Sequence, residues 1–555
     1  MPTLKSLSSQ WNAIVEELRD LGPMRPGSIC SQKVKYKAKD GTLRKHGPYP
    51  VLTFKEGGKT KTLRLRSDED IERCKKQIAN FRGFKEKTKQ LIEIGKQMAQ
   101  MERLEAKESK KKLLETIRAE QEAETKRIFE RVKREENLDF EALELFVRGQ
   151  MLHAGARAIE GLLRSVGRGR RREPLFCTGN HIARPMRSQG LQHKTIQTIL
   201  GPVAFDRSVY VCDLCGRTRY PGDELLGVSG TGFSPGARRM MARMGAKESF
   251  AESADDLEVL ADMKVDAKDV ERVAESTGSV VDEWMAREGA VARLMPPEEE
   301  KTDTLYVSFD GTGVPMRRAD LKQTRGKGPD GKAQTREVKL GCVFTQTALD
   351  ERGRPVRDEA STTYVGAIEP SVDFGHRIHA EAMRRGMAGA RRVVVITDGA
   401  GYNKSIIDEH FPHATRVLDL YHAREHLAEF VKDNARIGLD DPLHHECRAL
   451  LDAGDVGALT ARMQSLLPRS GPRHQEGMKQ IRYFHNNTHA MRYREFREMD
   501  LFVGSGVIEA GCKSVIGQRL KRSGMFWSVK GANAIIALRC CFASGRFEQF
   551  WEDAA

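Results

Sequence analysis

Three acidic side chains stand where a strand or a helix would hold them. Asp310 closes the alternating run Thr304-Leu-Tyr-Val-Ser-Phe-Asp310, Asp398 closes the apolar run Val393-Val-Val-Ile-Thr-Asp398, and Glu509 lies near the start of a helix-forming stretch that opens at Gly504. In the first run a strand period of two puts Leu305, Val307 and Phe309 on one face and Tyr306, Ser308 and Asp310 on the other. The second run is apolar throughout, as expected of a buried central strand. Carboxylates at the ends of adjacent central strands meet at one sheet edge, where a hard cation finds its oxygen ligands. Mg²⁺ (or Mn²⁺) takes one or two carboxylates and keeps several waters. Two such ions about 4 Å apart activate an attacking oxygen and stabilise a leaving one in a phosphoryl displacement. Taken singly, each acid also has an ordinary explanation. Asp310 and Asp398 are each followed by glycine, a common turn dipeptide, and Glu509 with Lys513 forms a helical i,i+4 pair.

The surroundings of Glu509 suit a site. Ser505 stands where a helix cap would, Val507 and Ile508 can anchor the turn, and Gly511 and Cys512 are small enough for close packing. A basic run follows, Gln518-Arg-Leu-Lys-Arg-Ser-Gly-Met-Phe-Trp527. Arg519 and Arg522, three apart, share a helix face and with Lys521 suit phosphates. Trp527 reads equally as a platform for a base or as a core aromatic.

Cys177-Thr-Gly-Asn-His181 and Cys212-Asp-Leu-Cys215 form a second constellation. Thiolates and an imidazole at C-x₃-H and C-x₂-C spacing can close a tetrahedral structural Zn²⁺ site. A metal-free hairpin with buried cysteines is the other reading, and His193 is a spare ligand.

These groups sit in a chain of 555 residues with a net charge of +15, long enough for several domains and suited to a polyanionic partner. No apolar run is long enough to span a membrane and no signal-peptide pattern opens the chain. The ten cysteines are too scattered for a secreted disulfide framework. A soluble protein of a reducing compartment is expected.

The elements that must position the site are expected in this order. Residues 1–83 are a small basic β-rich domain with Gly/Pro turns, and 84–165 a long charged helix or coiled coil on the stripe Leu91, Ile94, Met98, Met101, with Ile117, Ile128 and Val132 continuing it. Arg164–Arg172 is a basic linker. Residues 166–230 are a β-rich region around the cysteines. Residues 231–300 are helical, with Ala251–Ala261 and Ala267–Thr277 as a helix-turn-helix-like pair whose core is Leu257, Leu260, Val270 and Val273. Residues 301–420 run strand, strand, strand, helix, strand, helix, strand; 421–500 are a helical insertion; 501–555 supply the last helices. The class is multidomain α+β, and the C-terminal order matches a ribonuclease-H-like domain.

Three stretches resemble the DDE transposases of bacterial insertion sequences, in the ISKra-like group related to Mutator-type transposases. They are Val307-Ser-Phe-Asp-Gly-Thr-Gly-Val-Pro-Met316; Asp398-Gly-Ala-Gly with Leu418-Asp-Leu-Tyr-His-Ala-Arg-Glu-His-Leu427; and Gly504-Ser-Gly-Val-Ile-Glu-Ala with Gln518–Met525 and Trp527-Ser528. The resemblance implies that Asp310, Asp398 and Glu509 are the catalytic triad, that the helical insertion belongs between the last two, and that His422 of Asp419-Leu-Tyr-His422 touches the scissile phosphate or shapes the pocket. It also implies a zinc ribbon around Thr198–Cys212 and an accessory domain over Gly27–Thr60, a stretch where relatives carry several cysteines and this chain has only Cys30. The implied activity is binding of transposon terminal inverted repeats, then cleavage and strand transfer of double-stranded DNA. The enzyme would be a homodimer or larger assembly on the nucleoid of the bacterial cytoplasm, with the 84–148 helix as an oligomerisation element. A nuclease without strand transfer and a transposase-derived DNA-binding regulator are the alternatives.

Overall fold

The computed structural model describes residues 3–39, 41–134, 139–166, 169–171, 173–295, 302–321, 334–358, 360–435, 438 and 440–553. Within the basic linker, Gly167, Arg168 and Arg172 lie outside the described residues. The chain divides into two compact units, Met1–Arg168 and Gly169–Ala555.

The first unit opens with helix α1 (Leu4–Arg19), capped by Thr3, whose hydroxyl accepts the Ser6 N–H at 3.2 Å. Strands β1 (Ser28–Lys37), β2 (Leu43–Glu56) and β3 (Lys59–Arg64) form an antiparallel sheet in that order. Leu52 and Leu65 pack on Cys74 and Ile78 of α2 (Asp68–Arg134). Helix α2 runs for 67 residues, and α3 (Phe140–Val166) packs against it, as does α1. Leu91, Ile94, Met98 and Met101 are half-buried. Gly95 of α2 lies against the indole of Trp11.

The second unit begins with a sheet of β4 (Arg187–Thr198), β5 (Gly201–Val211) and β6 (Thr218–Arg219), followed by the short helix α4 (Pro221–Leu225). Helices α5 (Pro235–Lys247), α6 (Phe250–Ala261) and α7 (Ala267–Leu294) close around Ala237, Met241, Leu257, Met263, Val270 and Val273. A capping box between Ser249 and Glu252 starts α6, and Asp262 in the left-handed region ends it. Two expectations are corrected here. Leu260 is 67% exposed and is no part of that core. Helix α7 does not stop at Thr277 but continues to Leu294, because Gly278 lies directly against the backbone of Ala534 and Gly289 against Ala380, so its second half is bound to later elements.

The large sheet holds β7 (Thr304–Pro315), β8 (Thr335–Leu349), β9 (Pro355–Arg357), β10 (Thr363–Ala367), β11 (Arg392–Thr397) and β12 (Thr415–Leu418). Its order is β10-β8-β7-β11-β12, with β9 pairing β8. Strand β8 runs antiparallel to both β10 and β7, while β11 runs parallel to both β7 and β12. Helices α8 (Ser371–Arg384) and α9 (Gly401–His410) cover one face on Leu305, Val307, Phe309, Phe374, Ile378 and Ile406. The other face, with Tyr306 and Val314, belongs to the main core. Between β12 and the Glu509 region come α10 (Leu420–Phe430), α11 (Pro442–Ala453), α12 (Val456–Ser465), α13 (Pro472–Asn486) and α14 (Tyr493–Glu498), the helical stretch expected at 421–500. Then follow α15 (Gly506–Gly511), a π-helical turn at Cys512–Gly517, α16 (Gln518–Leu520), α17 (Val529–Ala543) and α18 (Phe547–Asp553).

Candidate active site and cysteine–histidine cluster

Asp310 does not end its strand. Strand β7 continues to Pro315, with Asp310 opposite Leu340 and Gly311 opposite Lys339 on β8. The first Asp-Gly is therefore strand-internal rather than a turn; its glycine makes room for the Glu337 carboxylate and the Tyr402 hydroxyl, which a Cβ would strike. The second Asp-Gly does lie past its strand, in the connection from β11 to α9. Gly399 has φ +84° and lies against Leu418 and Tyr483, so both conformation and space require glycine. Asp398, just past β11, accepts the Ala400 N–H at 3.0 Å and the Asn403 side-chain N–H at 2.7 Å, both on Oδ1.

Glu509 lies in α15 and accepts the Ser505 hydroxyl at 2.9 Å. Ser505 occupies the cap position but makes no side-chain cap hydrogen bond; it orients the catalytic candidate instead. Its backbone N–H donates to Asp419 Oδ2 at 2.5 Å, while Asp419 Oδ1 accepts the N–H of His422 at 2.8 Å. Asp419 is buried, and it joins the first turn of α10 to the segment that carries Glu509.

Burial raises the Asp310 carboxyl above its ordinary value; the Gly311 N–H, at 2.6 Å, opposes this, and the charges of Asp398 and Glu509 add to it while His422 works against it. All four groups predicted from sequence are thus electrostatic neighbours. His422 is partly exposed, with Nδ1 3.6 Å from Glu425 and its ring 4.8 Å from that of His426. The Cys512 thiol lies 3.9 Å from Asp310 Oδ2 and is pushed up to about 12, by burial first and by Asp310 second. Among the described residues the three carboxylates do not form a set whose ligand atoms all lie within 4.8 Å of one another. Each hydrogen bond that orients Asp398 and Glu509 falls on a single carboxylate oxygen, so the other oxygen of each can serve a hard cation. An all-oxygen donor set of this kind fits Mg²⁺ or Mn²⁺.

The basic segment is only partly what its pattern promised. Arg519 and Trp527 are corrected: both are buried, not presented to DNA. Arg519 donates to the Gly245 carbonyl at 2.9 Å and lies over the rings of Phe250 and Trp527, and burial pulls its guanidinium down to about 10. The Trp527 indole donates to the Leu520 carbonyl at 3.0 Å, and its backbone pairs beside β7, with N–H on the Pro315 carbonyl at 3.1 Å. The shared helix face of Arg519 and Arg522 does not exist, because α16 ends at Leu520. Arg522 instead makes a two-pronged pair with Glu252 of α6, one prong at 2.7 Å. Lys521 is exposed and donates to Thr312, two residues from Asp310 on the same face of β7. Sequence reasoning overlooked Asn403, Tyr402 and Glu337 and read Ser505 only as a helix cap, although it stands one helical turn before Glu509.

Cys177, His181, Cys212 and Cys215 converge, with one ligand atom of each within 4.8 Å of the others. Cys177 Sγ and Cys215 Sγ are 3.6 Å apart, and His181 Nε2 lies 3.3 Å from Cys215 Sγ and 3.5 Å from Cys212 Sγ. A tetrahedron with Zn–S of about 2.3 Å and Zn–N of about 2.05 Å has edges of roughly 3.8 Å between sulfurs and 3.6 Å between sulfur and nitrogen. The four side chains fit that figure. His193 is not among them: it pairs with Asp206 at 3.3 Å along the β4–β5 hairpin.

No family model matches the chain. A UPF0236 protein in the vanSb 3′ region of Streptococcus gallolyticus is 22% identical over 352 residues, 60% of this chain and 69% of that protein. Among solved structures, the Drosophila P element transposase strand transfer complex aligns over 60% of this chain and 83% of that chain, at 10% identity and a TM-score of 0.21. No helix among the described residues is long and apolar enough to cross a membrane.

Proposed function

We propose that this chain is a DDE-type DNA transposase, which binds transposon terminal inverted repeats and catalyses strand cleavage and strand transfer. The observation that carries the reading is the convergence of Asp310 from a central strand, Asp398 from the end of its parallel neighbour and Glu509 from a helix. Asp398 and Glu509 lie near enough for their charges to act on Asp310, adding to the rise that burial causes. The sheet order, three antiparallel strands followed by two parallel ones, supports a ribonuclease-H-like catalytic domain, and the helices between β12 and α15 fit its expected insertion. Two Mg²⁺ ions held by these carboxylates would supply Lewis-acid activation of the attacking oxygen and stabilisation of the leaving one.

The chain's own residues do the rest. Asn403 and the Ala400 N–H fix the Asp398 carboxylate, and Ser505 fixes that of Glu509. Asp419 holds Ser505 and His422 in register, so that His422 faces the acids. Lys521, beside Thr312, brings a cation to the phosphate path. The Cys177–His181–Cys212–Cys215 cluster holds a structural Zn²⁺ that stiffens the β4–β5–β6 region as part of the DNA-binding surface, and the protein acts as a homodimer or larger assembly. The test is a cleavage and joining assay of the full chain with Mg²⁺ on candidate end DNA, alongside Asp310→Asn, Asp398→Asn and Glu509→Gln. Loss of both activities in all three variants is expected. Full activity in any of them sinks the triad, and cleavage without joining in the wild type makes the protein a nuclease.

A further inference from the structure

On the face of the large sheet away from the Asp310 side chain, helices α8 and α9 bring together a second group of metal-binding side chains. One ligand atom each of His376, Glu409 and His410 lies within 4.8 Å of the others. The His376 and His410 rings are 4.8 Å apart between centroids, and His410 Nε2 is 3.9 Å from a Glu409 carboxylate oxygen. The His379 ring stands 5.4 Å from that of His410.

A second observation is independent of the grouping. The His410 side chain is 8% exposed, and its Nε2 is buried with no hydrogen-bond partner. A buried polar atom left unpaired is destabilising, so its placement calls for a ligand. That nitrogen approaches α8 at Gly375, where a Cβ would come within 2.7 Å of it. Only a residue without a side chain lets the imidazole edge reach the gap between the two helices. Among the groups that act on His410 are Glu409, which attracts a cation, and Arg293 of α7, which opposes one.

We propose that His376, Glu409 and His410 form a binding site for a divalent transition-metal ion of the zinc class, with His379 or water completing the shell. Two imidazoles and one carboxylate select such an ion over Mg²⁺, which prefers oxygen alone. The site is distinct from both the triad and the cysteine cluster. It clamps α9 at its C-terminal end, while Asn403, in the first turn of the same helix, holds Asp398. Bound metal therefore stiffens the helix that positions one of the acids. The proposal does not depend on the transposase reading.

The test is a Co²⁺ titration of the metal-stripped full-length protein, followed by absorption and by thermal unfolding. Co²⁺ at the cysteine cluster gives a thiolate charge-transfer band, whereas Co²⁺ at the histidine site adds d–d absorption without it. Wild type is expected to show an equivalent of the second kind. In His376→Ala and Glu409→Gln, whose changed side chains are exposed, that equivalent should bind at least about tenfold more weakly and its thermal stabilisation should disappear, with the thiolate band unchanged. The same number of non-thiolate equivalents at the same affinity in wild type and both variants would overturn the site, as would their absence from wild type.

Discussion

Asp419 and Ser505, 86 positions apart in the chain, are joined by a 2.5 Å hydrogen bond from the Ser505 backbone N–H to Asp419 Oδ2. The other carboxylate oxygen takes the His422 N–H, and the Ser505 hydroxyl in turn holds Glu509. One buried side chain thus sets the relative position of Glu509 and His422. Asp419→Ala leaves the buried Ser505 N–H unpaired, at about 1–3 kcal/mol, frees the part-buried His422 N–H, and removes the support of Glu509. Cleavage should fall by at least about tenfold under conditions where circular dichroism still shows folded protein. Asp419→Asn can accept only one of the two bonds and should lie between. Unchanged turnover in a folded Asp419→Ala variant would remove the positioning role.

The strands that carry Asp310 and precede Asp398 were legible because strands announce themselves by period, and the short apolar run before Asp398 reads as a covered strand. Strand length was less legible. Nothing in Asp310-Gly311 distinguishes a turn from a strand whose glycine admits a carboxylate from β8, since the deciding contact comes from Glu337, 26 residues on. The same limit applies to Arg519. Its neighbours in sequence are basic and polar, yet the partners that bury it, Gly245 and Phe250, lie about 270 positions away. Charge pattern reports what a residue can do; long-range packing decides whether it faces solvent. In the cluster of His376, Glu409 and His410, the adjacent Glu409-His410 pair carries no motif by itself, and His376, 33 positions earlier, joins it only because α8 and α9 pack together.

Asp310→Asn should separate stability from activity. In the folded protein, burial and the neighbouring acids raise the Asp310 carboxyl above its ordinary value, so the folded state favours the protonated form. The stability that proton binding provides is present at low pH and is lost as pH rises through the raised value, making ionised Asp310 a destabilising charge at neutral pH. Without divalent metal, Asp310→Asn is expected to unfold a few degrees above wild type at pH 7, and the difference should vanish near pH 3. Cleavage should fall by about a hundredfold or more. Because Mg²⁺ competes with that proton, its affinity for wild type should rise with pH above the ordinary carboxylate range. Equal melting of the two proteins at pH 7 would mean that the acids do not share one field.

Zinc at the cysteine cluster is checked by metal analysis. Cys212→Ser should contain one equivalent fewer than wild type and melt at lower temperature, because a closed structural site contributes its binding energy to folding. His193→Ala should retain the full complement, since that histidine pairs with Asp206 rather than with the cluster. Equal metal content in wild type and Cys212→Ser would show that the four side chains meet without a metal.

The basic segment after Glu509 divides by burial, and the division predicts two different phenotypes. Lys521 is exposed beside Thr312, so Lys521→Ala should weaken DNA binding and reduce the slope of log affinity against log salt by about 0.9, with no change in melting temperature. Arg519 is fully buried between Phe250 and Trp527. Arg519→Ala should cost about 2 kcal/mol or more of stability through the cavity and the lost Gly245 bond, while the salt slope of the protein that remains folded is unchanged. Arg522 joins α6 through Glu252, whose carboxyl the guanidinium pulls down to about 2. A carboxyl held low stabilises the folded state above its unfolded value near 4.5 and loses that contribution as pH falls toward 2. Arg522→Ala should therefore narrow the stability difference between pH 7 and pH 3 seen in wild type. A salt slope lowered by Arg519→Ala and untouched by Lys521→Ala would reverse the assignment of which side chain meets the phosphates.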